Sequence, residues 1–336
     1  MSYTIEKFLL PPDEAPPIAA EQEAPPCRLR AVEIGEFLEA KLPPRELLIE
    51  PWLPRQSLVM VHAWRGVGKT WFDLGLAYAA AAGVPFLSWK ATARCKVLYL
   101  DGEMPAPAIQ ERLALIVASS DEEAAPENFV LVTPDLQPTP GLIPDLGTYP
   151  GREEIDALVA EKNPDLIVID NLSAWVRSGE RENDAESWRA MADWLMRLRA
   201  QGRAVVLVHH SGKGGQQRGT SKREDILDVV ISLRHPADYS PTEGAAFEVH
   251  FEKARGLTGE AVEPFEARLG EDSRGLLTWS LRNQTASTYD RVVELAGLGM
   301  TQKEISLELG VNKSNVCRHW KEAVEAGHIK PQRAEK

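Results

Sequence analysis

The chain has 336 residues, 43% hydrophobic and 26% charged, an ordinary globular composition that excludes a wholly disordered or fibrous protein and, at roughly 100–200 residues per domain, predicts two domains or one domain with an appendage. No apolar run approaches the roughly 20 residues that span a bilayer, and the first thirty residues carry Asp13, Glu14, Glu21 and Glu23 instead of a basic-then-apolar leader, so a cytoplasmic location without a membrane partner is expected. The net charge of −12 removes overall basicity as an argument for nucleic-acid binding, which must then come from a local patch.

Residues 1–45 hold four Pro-Pro pairs (11–12, 16–17, 25–26 and 43–44) and read as a proline-rich mobile tail. Within it, RLRAVEIGEFLEAK (28–41) places Leu29, Val32, Ile34, Phe37 and Leu38 at roughly helical spacing and predicts one short helix. Over 46–283 apolar runs alternate with longer helical stretches, the pattern of an α/β core with a mainly parallel sheet covered by helices. The runs are SLVMVHA (57–63), KVLYLDG (96–102), FVLVT (129–133), DLIVID (165–170), RAVVLVHH (203–210) and DVVISL (228–233). After Pro236, AFEVHFEKAR (246–255) and LLTWSL (276–281) read as hairpin strands closing one edge. Residues 284–287 are short and polar and serve as a linker; 288–330 show only helical periodicity, a small all-α domain, and 331–336 form a tail. Cys27, Cys95 and Cys317 have no metal-ligand spacing and are expected as reduced thiols.

The string AWRGVGKT (63–70) follows a strand and precedes a helical stretch from Trp71, the setting of a phosphate-binding loop. Gly66 and Gly68 let the backbone turn its amides toward phosphates, Lys69 reaches the β/γ oxygens, and Thr70 offers a hydroxyl to Mg²⁺. Ala63, Trp64, Arg65, Val67 and Trp71 complete the loop, with Ala63 standing where the strict pattern has Gly. A nucleotide with Mg²⁺ is the expected cofactor pair.

Asp170 ends the apolar strand DLIVID at the edge where open α/β sheets bind ligands, and can hold Mg²⁺ with Thr70; the alternative is a helix cap. LYLDGEM (98–104) ends in Asp101 and Glu103, and Glu103 is the first candidate to orient and deprotonate the attacking water, Asp101 the second. VLVHHSGKGG (206–215) closes a strand with His209 and His210, either of which can sense a γ-phosphate; without a carboxylate at metal spacing, zinc is not expected.

With these motifs in this order, residues 46–282 resemble the RecA-like ATPases, and among them the hexameric replicative helicases of the RepA and DnaB type. AWRGVGKT is similar to their Walker A, DLIVID to Walker B, LYLDGEM to the strand with the catalytic Glu, and VHHSGK to the RepA-type histidine motif. RGTSKREDILDVVISL (218–233) resembles the stretch in which a basic, small-residue loop leads into an Asp-containing helix and the next strand. FEKARGLTGE (251–260) resembles the Lys-x-Arg-x-Gly motif, which implies that Lys253 and Arg255 reach a neighbouring subunit's γ-phosphate; the alternative is a solvated strand edge. Asn171 and Leu172 after the Walker B Asp, and the His pair in place of a Gln, depart from the DnaB type and favour the RepA side. Single-stranded DNA and a homo-oligomer, a hexamer, are the implied partners. Lys213 and Arg218 are candidate DNA contacts, Arg218 alternatively an intersubunit one.

In residues 288–329, Thr301 with Glu304 spells a capping box, Gly310 ends that helix, and Asn312 caps the next. Val316, Trp320 and Ala323 fall on one face of the last helix, while Ser314, Asn315, Arg318 and Lys321 are offered to a duplex in helix-turn-helix geometry. From Ala286 onward eight Lys/Arg face seven Asp/Glu, a local charge of +1 that permits DNA contact without demanding it; a protein-interaction module is the alternative. The reading is an ATP-hydrolysing, ring-forming DNA helicase or helicase-like motor of plasmid, phage or mobile-element replication. Its alternatives are a KaiC-like or partition-type regulator whose DNA binding is switched by ATP, and an assembly ATPase with no nucleic-acid role.

Overall fold

The computed structural model describes residues 30–42, 44–178, 185–211, 225–309 and 311–329. The chain divides after Pro44 into two units. In the first, helix α1 covers only Ile34–Glu39, none of its residues is buried, and Ile34 and Leu38 are 79% and 75% exposed. The helix expected over 28–41 is this short because a few hydrogen bonds do not recover the cost of nucleation unless a packed face adds to them.

The second unit begins with β1 (Leu47–Glu50), β2 (Leu53–Pro54), β3 (Leu58–Ala63), α2 (Lys69–Ala82), β4 (Pro85–Phe86), β5 (Trp89–Ala91) and β6 (Val97–Asp101). It continues through α3 (Ala106–Ala118), β7 (Phe129–Val132), α4 (Tyr149–Lys162), β8 (Leu166–Asp170), α5 (Leu172–Trp175), α6 (Ala185–Ala200), β9 (Ala204–His210) and β10 (Val229–Arg234). Strands β11 (Ala246–Ala254), β12 (Phe265–Glu271) and β13 (Leu277–Asn283) follow, then helices α7 (Gln284–Gly297), α8 (Gln302–Glu308) and α9 (Lys313–Glu325).

Nine strands form one sheet in the order β13-β12-β11-β10-β3-β9-β8-β6-β7. The six from β10 to β7 are parallel, and β11 to β13 add an antiparallel edge. This is the helix-covered, mainly parallel sheet expected from the sequence. Every residue of β3, β6 and β8 is buried, as parallel strands covered on both faces require. One face packs Val59, Val61, Val206 and Val208 against α2, and the other packs Leu58, Met60, Leu100 and Ile169 against Trp175 and, from α6, Trp194 and Leu198.

A second sheet, β2-β1-β5-β4, was not legible in the sequence. It is held by aromatic edges: Trp52 and Trp89 lie 5.0 Å apart, and Phe72 of α2 meets both Trp89 and Phe247 of β11. Such pairs add about 0.5–1.5 kcal/mol each beyond their buried area.

One expectation is corrected. The 284–287 linker does not exist, since β13 ends at Asn283 and α7 starts at Gln284; the segment lacks the Gly or Pro that would stop a helix. Strand β11 pairs with β10 along most of its length but with β12 only over 246–249, so Lys253 has β10 on one side and lies beyond the β12 pairing on the other, as a strand edge would.

The last three helices share a small core of Val292, Ile305, Val316 and Trp320. The Thr301–Glu304 capping box is formed, and the Asn312 side chain accepts the Ser314 amide. Gly310 lies outside the described residues, as do the three Pro-Pro pairs before residue 30, Cys27 and 331–336.

Candidate functional site

Strand β3 delivers the loop 64–68 at its C-terminal end, and α2 departs from it. Gly66 and Gly68 adopt φ of 83° and 113°, which L side chains rarely take, and a Cβ at Gly68 would also stand 3.1 Å from the Ala245 Cβ. Lys69 opens α2 and is buried; its ammonium donates to the carbonyls of Ala63 and Trp64, both at 3.2 Å. Burial pushes that ammonium down from its ordinary value, opposed by the charges of Asp73, Asp170 and Glu103.

The next elements bring acids to the same cleft. Asp101 and Asp170 end the neighbouring strands β6 and β8 in register. Tyr99 donates its hydroxyl to Asp170 Oδ2 at 2.8 Å, and burial still raises the Asp170 carboxyl. Glu103 stands just past β6, with Oε2 3.5 Å from His210 Nε2. The His210 hydrogen bond holds its carboxyl down at about 2, helped by Asn171 and Lys69 and opposed by partial burial. Asn171 Nδ2 lies 3.1 Å from that same His210 nitrogen. One ring nitrogen cannot accept from Asn171 and donate to Glu103 at once, so the tautomer of His210 selects between them.

Arg65, Gly66, Gly68, Lys69, Thr70 and Trp71 thus face Glu103, Asp170, Asn171 and His210 across a cleft of ≈ 670 Å³. Its donors are amides and cations on the loop side and hard oxygens opposite. That set suits a polyphosphate with Mg²⁺, for which Thr70 and Asp170 would be the oxygen ligands. Ala63 lies beneath the loop, its carbonyl on Lys69; Val67 is buried in the core and Trp64 is exposed.

Of the histidine pair, His210 lines the cleft, whereas His209 is buried within β9 beside His62 of β3. Arg255 follows β11 and lies 3.6 Å from Asp228, whose other oxygen accepts the Leu58 amide at the opposite end of β3 from the loop. The structure therefore does not bring Arg255 together with Lys69. Lys253 is near that same end, paired in register with Val230. Ser314, Asn315, Arg318 and Lys321 are exposed on α9. Lys213 and Arg218 lie outside the described residues.

Two residues at this site carry no motif. Arg112 of α3 lines the cleft and stacks over Trp71 with its guanidinium carbon 5.2 Å from the ring centroid. Asp73, four residues after Lys69 on α2, is fully buried with neither carboxylate oxygen hydrogen-bonded; burial and the Asp170 charge push its carboxyl well up. Its signal was in the sequence: it is the lone acid in the otherwise apolar TWFDLGLAYAAAA.

Asp101 is pushed up to about 7, mainly by burial, while the Met104 amide works against the shift. The folded chain then keeps a proton that the unfolded chain releases near 3.8, so stability falls as pH rises from about 4 to 7, by about 1.4 kcal/mol per unit from this group. The depressed Glu103 acts only between about 2 and its ordinary 4.5, below the interval from pH 5 to 7. Asp101→Asn keeps the shape and removes the proton, so its melting temperature should drop less between pH 5 and 7 than that of the wild type. Equal slopes would return Asp101 to an ordinary carboxyl.

The profile of the AAA domain family matches residues 23–216. No curated protein sequence matches. Among solved structures, a KaiC-like protein from the hyperthermophilic archaeon Pyrococcus horikoshii OT3 is 15% identical, with 69% of this chain and 93% of that chain covered and a TM-score of 0.48. The flagellar accessory protein FlaH from Methanocaldococcus jannaschii is 12% identical, with 68% and 90% covered and a TM-score of 0.47. Among the described residues no helix is long and apolar enough to cross a membrane.

Proposed function

The chain belongs to the AAA domain family, and from that premise we propose that it is a ring-forming, ATP-hydrolysing DNA motor of the helicase type, serving replication of a plasmid, phage or other mobile element. The observation that carries hydrolysis is the meeting of Lys69, Thr70, Glu103, Asp170 and His210 in one cleft. The loop amides and Lys69 hold the phosphates, and Arg65 and Arg112 add positive charge at the rim. Mg²⁺, held by Thr70 and Asp170, would neutralise charge on the phosphate oxygens. Glu103, ionised at neutral pH, orients the attacking water, and His210 at 3.5 Å registers the group that water attacks.

The DNA part of the proposal rests on α9. Its exposed start offers Ser314, Asn315 and Arg318, with no acid before Glu322, and Lys321 follows on the exposed surface. This three-helix unit reads as a helix-turn-helix that meets duplex DNA while the motor handles a single strand. The same face also favours a second reading, a regulator whose duplex binding is switched by ATP.

One experiment separates them: ATP hydrolysis with and without single-stranded DNA, beside the particle mass with a non-hydrolysable analogue. The motor predicts several-fold stimulation and a hexamer. Hydrolysis indifferent to single strands, together with sequence-specific duplex binding, would replace it by the switch.

A further inference from the structure

Behind the cleft a buried polar chain crosses the sheet. His62, the penultimate residue of β3, has no exposed surface. Its Nδ1 lies 2.9 Å from Ser211 Oγ, and its Nε2 lies 2.9 Å from Glu252 Oε2. Ser211 directly follows His210 and is 5% exposed. Its amide donates to the Ala63 carbonyl at 2.9 Å, the same carbonyl that accepts from Lys69. At the far end, Glu252 Oε1 accepts from Arg234 at 2.9 Å.

The chemistry orients this chain. An ionised Glu252 only accepts, so His62 carries a proton on Nε2; in that neutral tautomer Nδ1 accepts and the Ser211 hydroxyl donates. The strand geometry gives the chain its target. Val230 of β10 faces Lys253 while Ile231 faces Phe251, so Glu252 is the extra residue of a bulge. A bulge bends its strand and re-aims the side chains beyond it, here Lys253 and Arg255.

We propose that His62 is a positioning residue that couples the nucleotide cleft to β11: nucleotide engagement by Lys69 and His210 shifts Ser211, and His62 passes that shift to the Glu252 bulge and the two cations after it. The coupling rests on the nucleotide-binding reading above. Its two arrangements are the Ser211–His62 bond made and broken. When it breaks, the His62 ring is held only through Nε2 by Glu252, which Arg234 holds in turn.

The test is backbone hydrogen exchange across 246–254, with and without a non-hydrolysable ATP analogue and Mg²⁺, beside the analogue's Kd. In the wild type the analogue should change exchange in this strand several-fold. His62→Phe keeps a ring but neither hydrogen bond; it should bind the analogue with wild-type Kd and show no exchange change. His62→Gln, which can donate to Glu252 and accept from Ser211, should restore the change. Glu252→Gln, at the surface end of the chain, should weaken it and gives the same reading should His62→Phe fold poorly. A wild-type response in His62→Phe or in Glu252→Gln, or bound analogue with no response in the wild type, overturns the coupling and leaves the nucleotide site standing. No analogue binding by the wild type overturns both.

Discussion

Lys69→Ala is expected to lower ATP hydrolysis by at least about 10²–10³-fold, the loss typical when one pre-aimed donor is taken from a developing negative charge. Its ammonium is buried and rests on two neutral carbonyls of its own loop. Neutral acceptors hold a cation less firmly than phosphate oxygens do, so the group is poised to exchange them for a nucleotide. Nucleotide binding should weaken as well, because among the described residues no other buried ammonium or guanidinium opens α2, Arg65 and Arg112 standing at the rim. The fold should persist, since alanine is the best helix former and the loop's glycines stay in place. Phosphate release and titration with a fluorescent ATP analogue read the two effects. Hydrolysis at the wild-type rate would show that the cleft at 63–71 is not the active site.

How far the sequence revealed the fold depended on what each element packs against. Strands β3, β6, β8, β9 and β10 are covered on both faces, so each is an apolar run that stands out in the sequence. The two-residue strands Leu53–Pro54 and Pro85–Phe86 carry no period at all and exist because Trp52, Phe86 and Trp89 bury rings around them. Strand β12 reads FEARLGE, and its Arg268 is spent on Asp238, Glu243 and Glu266, a polar network that hydrophobic patterning cannot register.

The site shows the same division. Lys69, Thr70, Glu103, Asp170 and one histidine stand at strand ends within motifs, and they meet in the cleft. Choosing His210 over His209 required knowing where β9 stops alternating its side chains, which no local pattern supplies. His62 lay inside the apolar run SLVMVHA, where a single polar residue between hydrophobic neighbours has no motif to mark it. Arg112 reaches the cleft only because α3 crosses above Trp71, a tertiary fact.

Arg255→Ala is expected to fold and to bind ATP, yet to hydrolyse it about 10³–10⁵-fold more slowly, the range for loss of an arginine finger. Arg255 lies against Asp228 beside the first residue of β3, while Lys69 follows the last. At about 3.3 Å per residue the two ends of that strand are roughly 17 Å apart, beyond the reach of one guanidinium. A direct contact of Arg255 with a γ-phosphate would therefore have to be made in a neighbouring subunit. Its ion pair with Asp228 is 54% exposed on the arginine side, and exposed pairs contribute about 0–1 kcal/mol. Asp228 also keeps the Leu58 amide and Arg199 at 3.7 Å when Arg255 is removed, so the fold has little reason to fail. Mixing Arg255→Ala with Lys69→Ala subunits should restore part of the activity, because some interfaces then pair an intact loop with an intact arginine. Mixed oligomers with no recovery would make Arg255 a partner of Asp228 and nothing more.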